Sequence, residues 1–358
     1  MSVQNLTVTE DEDGMRLDRW FKRRVPNLSL SHLNKICRKG EVRVSGKRVE
    51  GNSRLEAGQI VRVPPLDLAP EKVNIRSGPN EADARALKDM ILFEDAGLMV
   101  LNKPFGLAVQ GGSGTLHHID GMLESMPNKN GERPKLVHRL DKDTAGVLLI
   151  AKTRKMAADL GEAFRARQTK KIYWALVRGV PKPNQGRISL FLAKGEGMGL
   201  ERGEQRPKAL GGRNAAGELG FERMRVAKHG DEDAQHSVTY YTLVEKAAQR
   251  VSWLSMKPIT GRTHQLRAHA EAIGNPIIGD PKYGLLAKTD PRRTDPLQMI
   301  PDGMDNKLHL LARRLILPHP KGGMIDVTAP LPPHMAKSWD MLGFDAKSYD
   351  PIMDAPED

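Results

Sequence analysis

The stretch Leu136–Thr153, LVHRLDKDTAGVLLIAKT, decides how this chain is to be read. Its second half holds the run Val147-Leu148-Leu149-Ile150, the signature of a strand that will be buried. Its first half is a knot of charge, His138-Arg139-Leu140-Asp141-Lys142-Asp143. One reading is a solvated loop entering a core strand. The other is a catalytic loop held on the end of a rigid strand, where function often lives. Spacing alone does not choose between them.

The pattern on either side is one of strands with helices between them. Upstream, MILFEDAGLMVLNKP (90–104) reads as strand, turn at Asp95–Gly97, strand and proline stop. Downstream, Met156, Leu160 and Phe164 recur every four residues and predict a helix, after which KKIYWALVRGV (170–180) returns to strand. QHSVTYYTLVE and RVSWLSMKP read as paired strands, and TGRTHQLRAHAEAIG opens a helix with Thr263 as N-cap and Gly274 as terminator. Residues 194–220 carry eight glycines and little apolar material, which predicts a flexible insertion. The fold class expected is α+β, with a mixed, largely antiparallel sheet.

The first 65 residues have a different character. In RLDRWFKRRV, Leu17, Trp20, Phe21 and Val25 form one apolar stripe of a helix. In SLSHLNKICRKG, Ser31 is the expected N-cap, Leu33, Ile36 and Cys37 face inward, and Gly40 ends the helix. EVRVSGKRV alternates around a Ser-Gly turn and predicts a hairpin. The organisation expected is a small domain over 14–65, a Pro- and charge-rich linker over 66–89, a large domain over 90–335 and a tail over 336–358.

Charge is concentrated in the small domain. Residues 15–65 contain thirteen Lys/Arg against four Asp/Glu, most of the chain's net +12. Such a balance points to a polyanionic partner. No apolar run approaches the roughly 18 residues a membrane span needs. The start, MSVQNLTVTEDEDG, lacks the basic and apolar regions of a secretory signal. Cys37 is the single cysteine, which excludes an intramolecular disulfide and fits a cytoplasmic setting.

Common chemistries fail on spacing. His264 and His269 are five apart, unlike a helical zinc pair, and the His117-His118 pair is isolated in a loop. The glycine loop AVQGGSGTLHH lacks the Gly-Lys-Ser/Thr of a phosphate loop. HRLD is not accompanied by the other kinase motifs, and no Gly-x-Ser-x-Gly elbow is present. What remains is an aspartate on a strand-entry loop and an arginine at the start of a helix.

Four blocks in order, HRLDKDTAGVLLIAK, KKIYWALVRG, PITGRTHQLRAH and NPIIGDPKYG, resemble the RluA family of pseudouridine synthases, and the front end with RKGEVRVSGKRV resembles an S4 RNA-binding domain. The resemblance implies an S4-like domain followed by a pseudouridine synthase catalytic domain, and isomerisation of uridines in 23S ribosomal RNA, free or in large-subunit assembly intermediates, by a cytoplasmic monomer. The reaction gains and loses no atom, so no cofactor or metal is expected. Asp141 matches the catalytic carboxylate. Arg267 matches the arginine that pairs with it, keeping it ionised and oriented, and Tyr173 matches the residue that stacks on the uracil and assists late proton removal. Arg139 matches an RNA contact beside the flipped nucleotide, and Asp143 is expected to shape the loop. Lys35, Arg38, Lys39, Arg43, Lys47 and Arg48 are the expected phosphate contacts of the small domain. Two positions depart from the family pattern: Ala145 stands for a usual Ser and Leu311 for a usual His. The alternatives are a synthase for other ribosomal or transfer RNA uridines, and a non-catalytic RNA-binding or ribosome-assembly factor.

Overall fold

The structure, a computed structural model, describes residues 3–9, 12–25, 28–66, 80–111, 115, 117–128, 131–195, 223–284 and 300–356. The chain divides into two compact units, Met1–Gly78 and Pro79–Asp358.

The first unit runs β1 (Gln4–Thr7), α1 (Leu17–Arg24), α2 (Leu30–Lys39), β2 (Arg43–Val44), β3 (Lys47–Arg48) and β4 (Ile60–Val63). Its antiparallel sheet has the order β1-β4-β2-β3. The two helical stripes read from the sequence meet in one core, where Leu17, Trp20, Phe21, Leu33, Ile36 and Cys37 pack with Val42, Val44, Val61 and Val63. The hairpin turns at Ser45 and Gly46, with φ of 47° and 78°. Two positive φ angles give a turn whose twist matches the flanking strands. The N-cap of α2 is Ser29, not Ser31: its hydroxyl accepts from the His32 backbone N–H at 3.2 Å, and Ser31 lies inside the helix. The unit also starts before residue 14, because β1 adds a strand to β4.

The second unit contains α3 (Glu81–Asp89), β5 (Ile91–Glu94), β6 (Leu98–Lys103), α4 (Ile119–Met122), β7 (Lys135–Leu136), β8 (Ala145–Ala151), α5 (Arg154–Arg165), β9 (Lys170–Arg178), β10 (Gln185–Gly195) and β11 (Arg223–Ala227). It continues with β12 (Gln235–Ala247), β13 (Val251–Pro258), α6 (Gln265–Ala272), β14 (Leu310–Pro318), β15 (Met324–Thr328) and α7 (Pro333–Leu342). The sheet has the order β11-β10-β12-β13-β9-β14-β8-β6-β5, with β15 on β14 and β7 on β8. Among the described residues its pairs are antiparallel except β14 with β8.

Two expected boundaries differ. The C-terminal end of the expected linker is helix α3, capped by the Asn80 side chain, with Leu87 buried among Ile119, Met122 and Leu123. The expected tail is part of the core, where Trp339, Phe344 and Ile352 pack around Trp174 and Trp253. Lys194 and Gly195 of the expected insertion end β10; the rest lies outside the described residues.

Strand β8 places the charged knot. All seven of its residues are buried. Ala145, Val147, Leu149 and Ala151 enter one core and Leu148 and Ile150 another, the period-two alternation of a strand covered on both faces. Gly146, at φ +109°, lies so close to β14 that a Cβ would fall 2.2 Å from the Ala312 carbonyl oxygen, so no side chain fits here. The two departures from the family pattern face each other in this parallel pair, Leu311 opposite Ala145, both buried. Ala312 pairs with Gly146 and with Tyr173 of β9, and Tyr173 pairs with Met256 near the end of β13. The entry to β8, the middle of β9, the start of β14 and the exit of β13 therefore lie at one level of the sheet.

Candidate active site

At that level a pocket opens, lined by Arg139, Asp141, Lys171, Tyr173, His264 and Arg267 among others. Its volume of about 190 Å³ is below the roughly 300–1,000 Å³ of drug-sized clefts, a size that suits a single ring. The pocket brings Asp141, Tyr173 and Arg267 together from three separate elements.

Asp141 sits in the turn before β8, where its carbonyl accepts from the Thr144 N–H at 3.1 Å. The next peptide is pinned from behind: the Lys142 carbonyl accepts from the Gly106 N–H at 3.0 Å and from the Lys103 ammonium at 2.9 Å. Lys103 is fully buried and also donates to the carbonyls of Pro104 and Leu107. Burial lowers its pKa to about 7, against the upward pull of Asp143 and Asp141. His138 stays neutral through burial, accepting from the Leu149 N–H at 3.0 Å and stacking on Phe164. The charged knot thus sends its histidine inward to hold β8 and leaves Asp141 in the pocket, its side chain 22% exposed. Arg139 is exposed on the pocket wall.

The loop between β13 and α6 is stapled to β12 by Gln265. The Gln265 side-chain oxygen accepts from the Thr260 hydroxyl at 2.7 Å and the Arg262 N–H at 3.1 Å. Its amide donates to the Val238 carbonyl and the Thr239 hydroxyl, both at 2.9 Å. The helix N-cap is His264, not Thr263, and its backbone is left-handed, φ 49°. His269 turns away into the core against Ser237 and Thr239. His118 caps α4 through its Nδ1. Among the described residues no group of three or more His, Cys, Asp or Glu is placed to hold a metal ion.

Arg267 is where the geometry departs from expectation. Its guanidinium fork is taken by Asp280: Nε and Nη2 each donate at 2.7 Å to one carboxylate oxygen. Only Nη1 reaches Asp141, at 3.4 Å. The bidentate partner of Arg267 is therefore Asp280, and Asp141 takes the remaining edge of the fork. Asp280 is itself fixed by the Lys282 and Tyr283 N–H groups. Burial opposes the Arg267 charge, but the hydrogen bonds and charge of Asp280, then the charge of Asp141, outweigh it and raise its pKa. Asp280 is the single acid of the NPIIGDPKYG block, set between a glycine and a proline, and that isolation is the signal that could have marked it. Its preceding residue, Gly279, adopts φ +71°, where a Cβ would meet the Lys307 carbonyl.

Tyr173 is half-buried beside Asp141. Burial, then the Asp141 charge, raises the pKa of its hydroxyl and keeps the phenol protonated. In the first unit, Lys35, Arg38, Lys39, Lys47 and Arg48 are exposed. Lys39 lies 3.6 Å from Glu41. Arg43 is half-buried and donates to the Gly40 and Gly46 carbonyls, bracing the hairpin.

Residues 97–272 match the RNA pseudouridylate synthase family. A Haemophilus influenzae protein named ribosomal large subunit pseudouridine synthase C is 36% identical over 324 residues, 90% of this chain and 89% of that protein. Its Escherichia coli (strain K12) namesake is 35% identical over 332 residues, 92% of this chain and 93% of that one. Among solved structures, human RNA pseudouridylate synthase domain containing 4 superposes with a TM-score of 0.55 at 28% identity, covering 73% of this chain and 96% of that one.

Proposed function

This chain belongs to the RNA pseudouridylate synthase family, in the RluA group, and from that premise we propose that it isomerises specific uridines of 23S ribosomal RNA to pseudouridine, with Asp141 as the catalytic carboxylate. The names of its relatives support the large-subunit substrate. The observation that carries the assignment of Asp141 is its position: a partly exposed carboxylate on a strand-entry loop, facing a ring-sized pocket, with a buried arginine behind it.

The reaction breaks the C1′–N1 bond, turns the uracil and rejoins it through C5, and the proton on C5 is then lost while N1 regains one. The nucleotide must leave its stack to enter the pocket. Asp141 attacks as nucleophile or stabilises the charge left when uracil departs. Arg267, whose Nη1 lies 3.4 Å from its Oδ2, holds it in place. Tyr173 offers its ring as a stacking face; its protonated hydroxyl makes it a poor base at neutral pH, so stacking is the role assigned to it. Arg139, exposed at the rim, contacts the RNA. Lys35, Arg38, Lys39, Lys47 and Arg48 meet phosphates, while Arg43 acts mainly by shaping the hairpin. The substrate is the free RNA or a large-subunit assembly intermediate, which locates the work in the cytoplasm. The state proposed for the chain is a monomer.

Asp141→Asn keeps the size of the side chain and removes its charge. Pseudouridine formed on 23S RNA lacking the modification should fall by roughly a thousandfold, about 4 kcal/mol, with RNA binding retained. Asp143→Asn, two residues away, is the control and should cost much less. An Asp141→Asn variant that turns over near the parental rate removes the assignment.

A further inference from the structure

We propose that His264 is a positioning residue for Asp141, holding one carboxylate oxygen through its Nε2–H so that the other faces the nucleotide. The proposal rests on Asp141 being the reacting carboxylate.

His264 stands at the mouth of α6 with a side chain only 7% exposed. Its left-handed backbone is uncommon for any residue but glycine, though histidine and asparagine visit it more readily than most. Such a conformation persists where surrounding contacts impose it. Those contacts also define the proton on the ring. The Tyr283 hydroxyl oxygen accepts from the Met224 backbone N–H at 2.8 Å and lies 3.1 Å from His264 Nδ1. With the Met224 N–H already donating to that oxygen, the tautomer assigned to His264 is the one in which the hydroxyl donates to Nδ1. Burial raises the Tyr283 pKa to about 12, so that proton stays in place. Burial likewise lowers the His264 pKa to about 4, against the upward pull of Asp141, so the ring is neutral. A neutral ring that accepts at Nδ1 carries its single proton on Nε2.

Nε2 lies 3.8 Å from Asp141 Oδ2. Arg267 Nη1 approaches the same oxygen at 3.4 Å. Two donors from α6 and its cap therefore converge on Oδ2, which leaves Oδ1 as the oxygen to meet the sugar or base. At 3.8 Å the imidazole contact is longer than a hydrogen bond. Such contacts commonly tighten when the substrate seats, and a shift of about 1 Å would bring this one within hydrogen-bond range.

The same residue has a purely structural reading, in which His264 only tolerates the left-handed backbone and accepts from Tyr283. Two substitutions separate them. His264→Asn suits the backbone and can accept from Tyr283, but its amide is too short to reach Asp141. His264→Gln places an N–H near the position of Nε2. Single-turnover pseudouridine formation, RNA affinity and thermal unfolding are measured for both in the full chain, with Asp141→Asn alongside. The positioning role predicts that His264→Asn loses about 10–100-fold in rate, the size of a hydrogen bond to a charged group, with RNA affinity and unfolding near parental. It predicts that His264→Gln recovers most of that loss. Parental turnover by His264→Asn, or equal losses in both variants, overturns it. Should Asp141→Asn itself remain active, the failure lies with the assignment of Asp141 instead.

Discussion

Replacing Asp280 by asparagine tests whether the site is built backwards from a carboxylate that never meets the substrate. The Asp280 side chain is fully buried and that of Arg267 is 3% exposed. Two hydrogen bonds of 2.7 Å join them. Asparagine keeps one oxygen for the Lys282 and Tyr283 N–H groups but turns an NH₂ toward the guanidinium, leaving a buried cation without its main counter-charge. Removing one partner of a buried pair costs about 3–5 kcal/mol. At roughly 2–4 °C per kcal/mol for a unit of this size, the unfolding midpoint should fall by about 6–20 °C. Arg267 would also be free to swing onto Asp141, so single-turnover rate should drop even at temperatures where the variant is folded. Circular dichroism melting and pseudouridine formation read the two effects separately. Arg267→Lys is the companion: one ammonium cannot serve both oxygens of Asp280 and reach Asp141, and rate should fall well before RNA affinity. An Asp280→Asn variant with parental melting and parental rate would refute the reasoning.

Tyr173→Phe should retain most turnover if the ring is used for stacking, whereas Tyr173→Ala should lose most of it; equal damage from both would return the hydroxyl to a proton-transfer role. Neutralising Lys35, Arg38 and Lys39 together should flatten the slope of log affinity against log salt by roughly 0.7–0.9 for every phosphate that is no longer neutralised, and an unchanged slope removes the case for that face. In the first unit, Glu12 accepts from Trp20 Nε1 at 3.0 Å and from Arg24 Nη1 at 2.6 Å. Burial raises its pKa, but the bonds from Arg24, Thr9 and Trp20 outweigh this and leave it below the ordinary 4.5. A folded carboxyl with a lowered pKa contributes stability above its unfolded pKa and loses it as pH falls through the folded one. Urea titrations should show part of the acid-induced loss of stability below pH 4.5 disappearing in Glu12→Gln, and an unaltered pH profile would exclude this group.

Much of the chain was legible because it is local. The stripe Leu17, Trp20, Phe21, the Gly40 terminator, the Ser45-Gly46 turn and the helix marked by Met156 and Leu160 all depend on residues within a few positions of one another. Periodicity and backbone freedom act over that range, so pattern is enough. Even there, the caps moved by one or two residues: two serines competed to cap α2 and Ser29 does so, while α6 begins at His264, whose side chain makes no capping bond and turns to Tyr283 instead.

Asp141, Tyr173 and Arg267 were named from the resemblance of their motifs, and the sequence alone also determined the charge asymmetry that marks the first unit. Only the tertiary structure decided how those three residues are held. Arg267 and Asp141 are 126 positions apart, and the carboxylate that claims the guanidinium fork, Asp280, belongs to another block altogether. Formal charges state that an arginine will seek a carboxylate, but the choice between two carboxylates depends on distance and burial. These follow from the β14–β8 parallel pairing that seats the Asp141 loop and from the turn after Gly279 that carries Asp280 beneath α6. Local sequence supplies the reactive groups, and long-range packing, which no spacing encodes, assigns their partners.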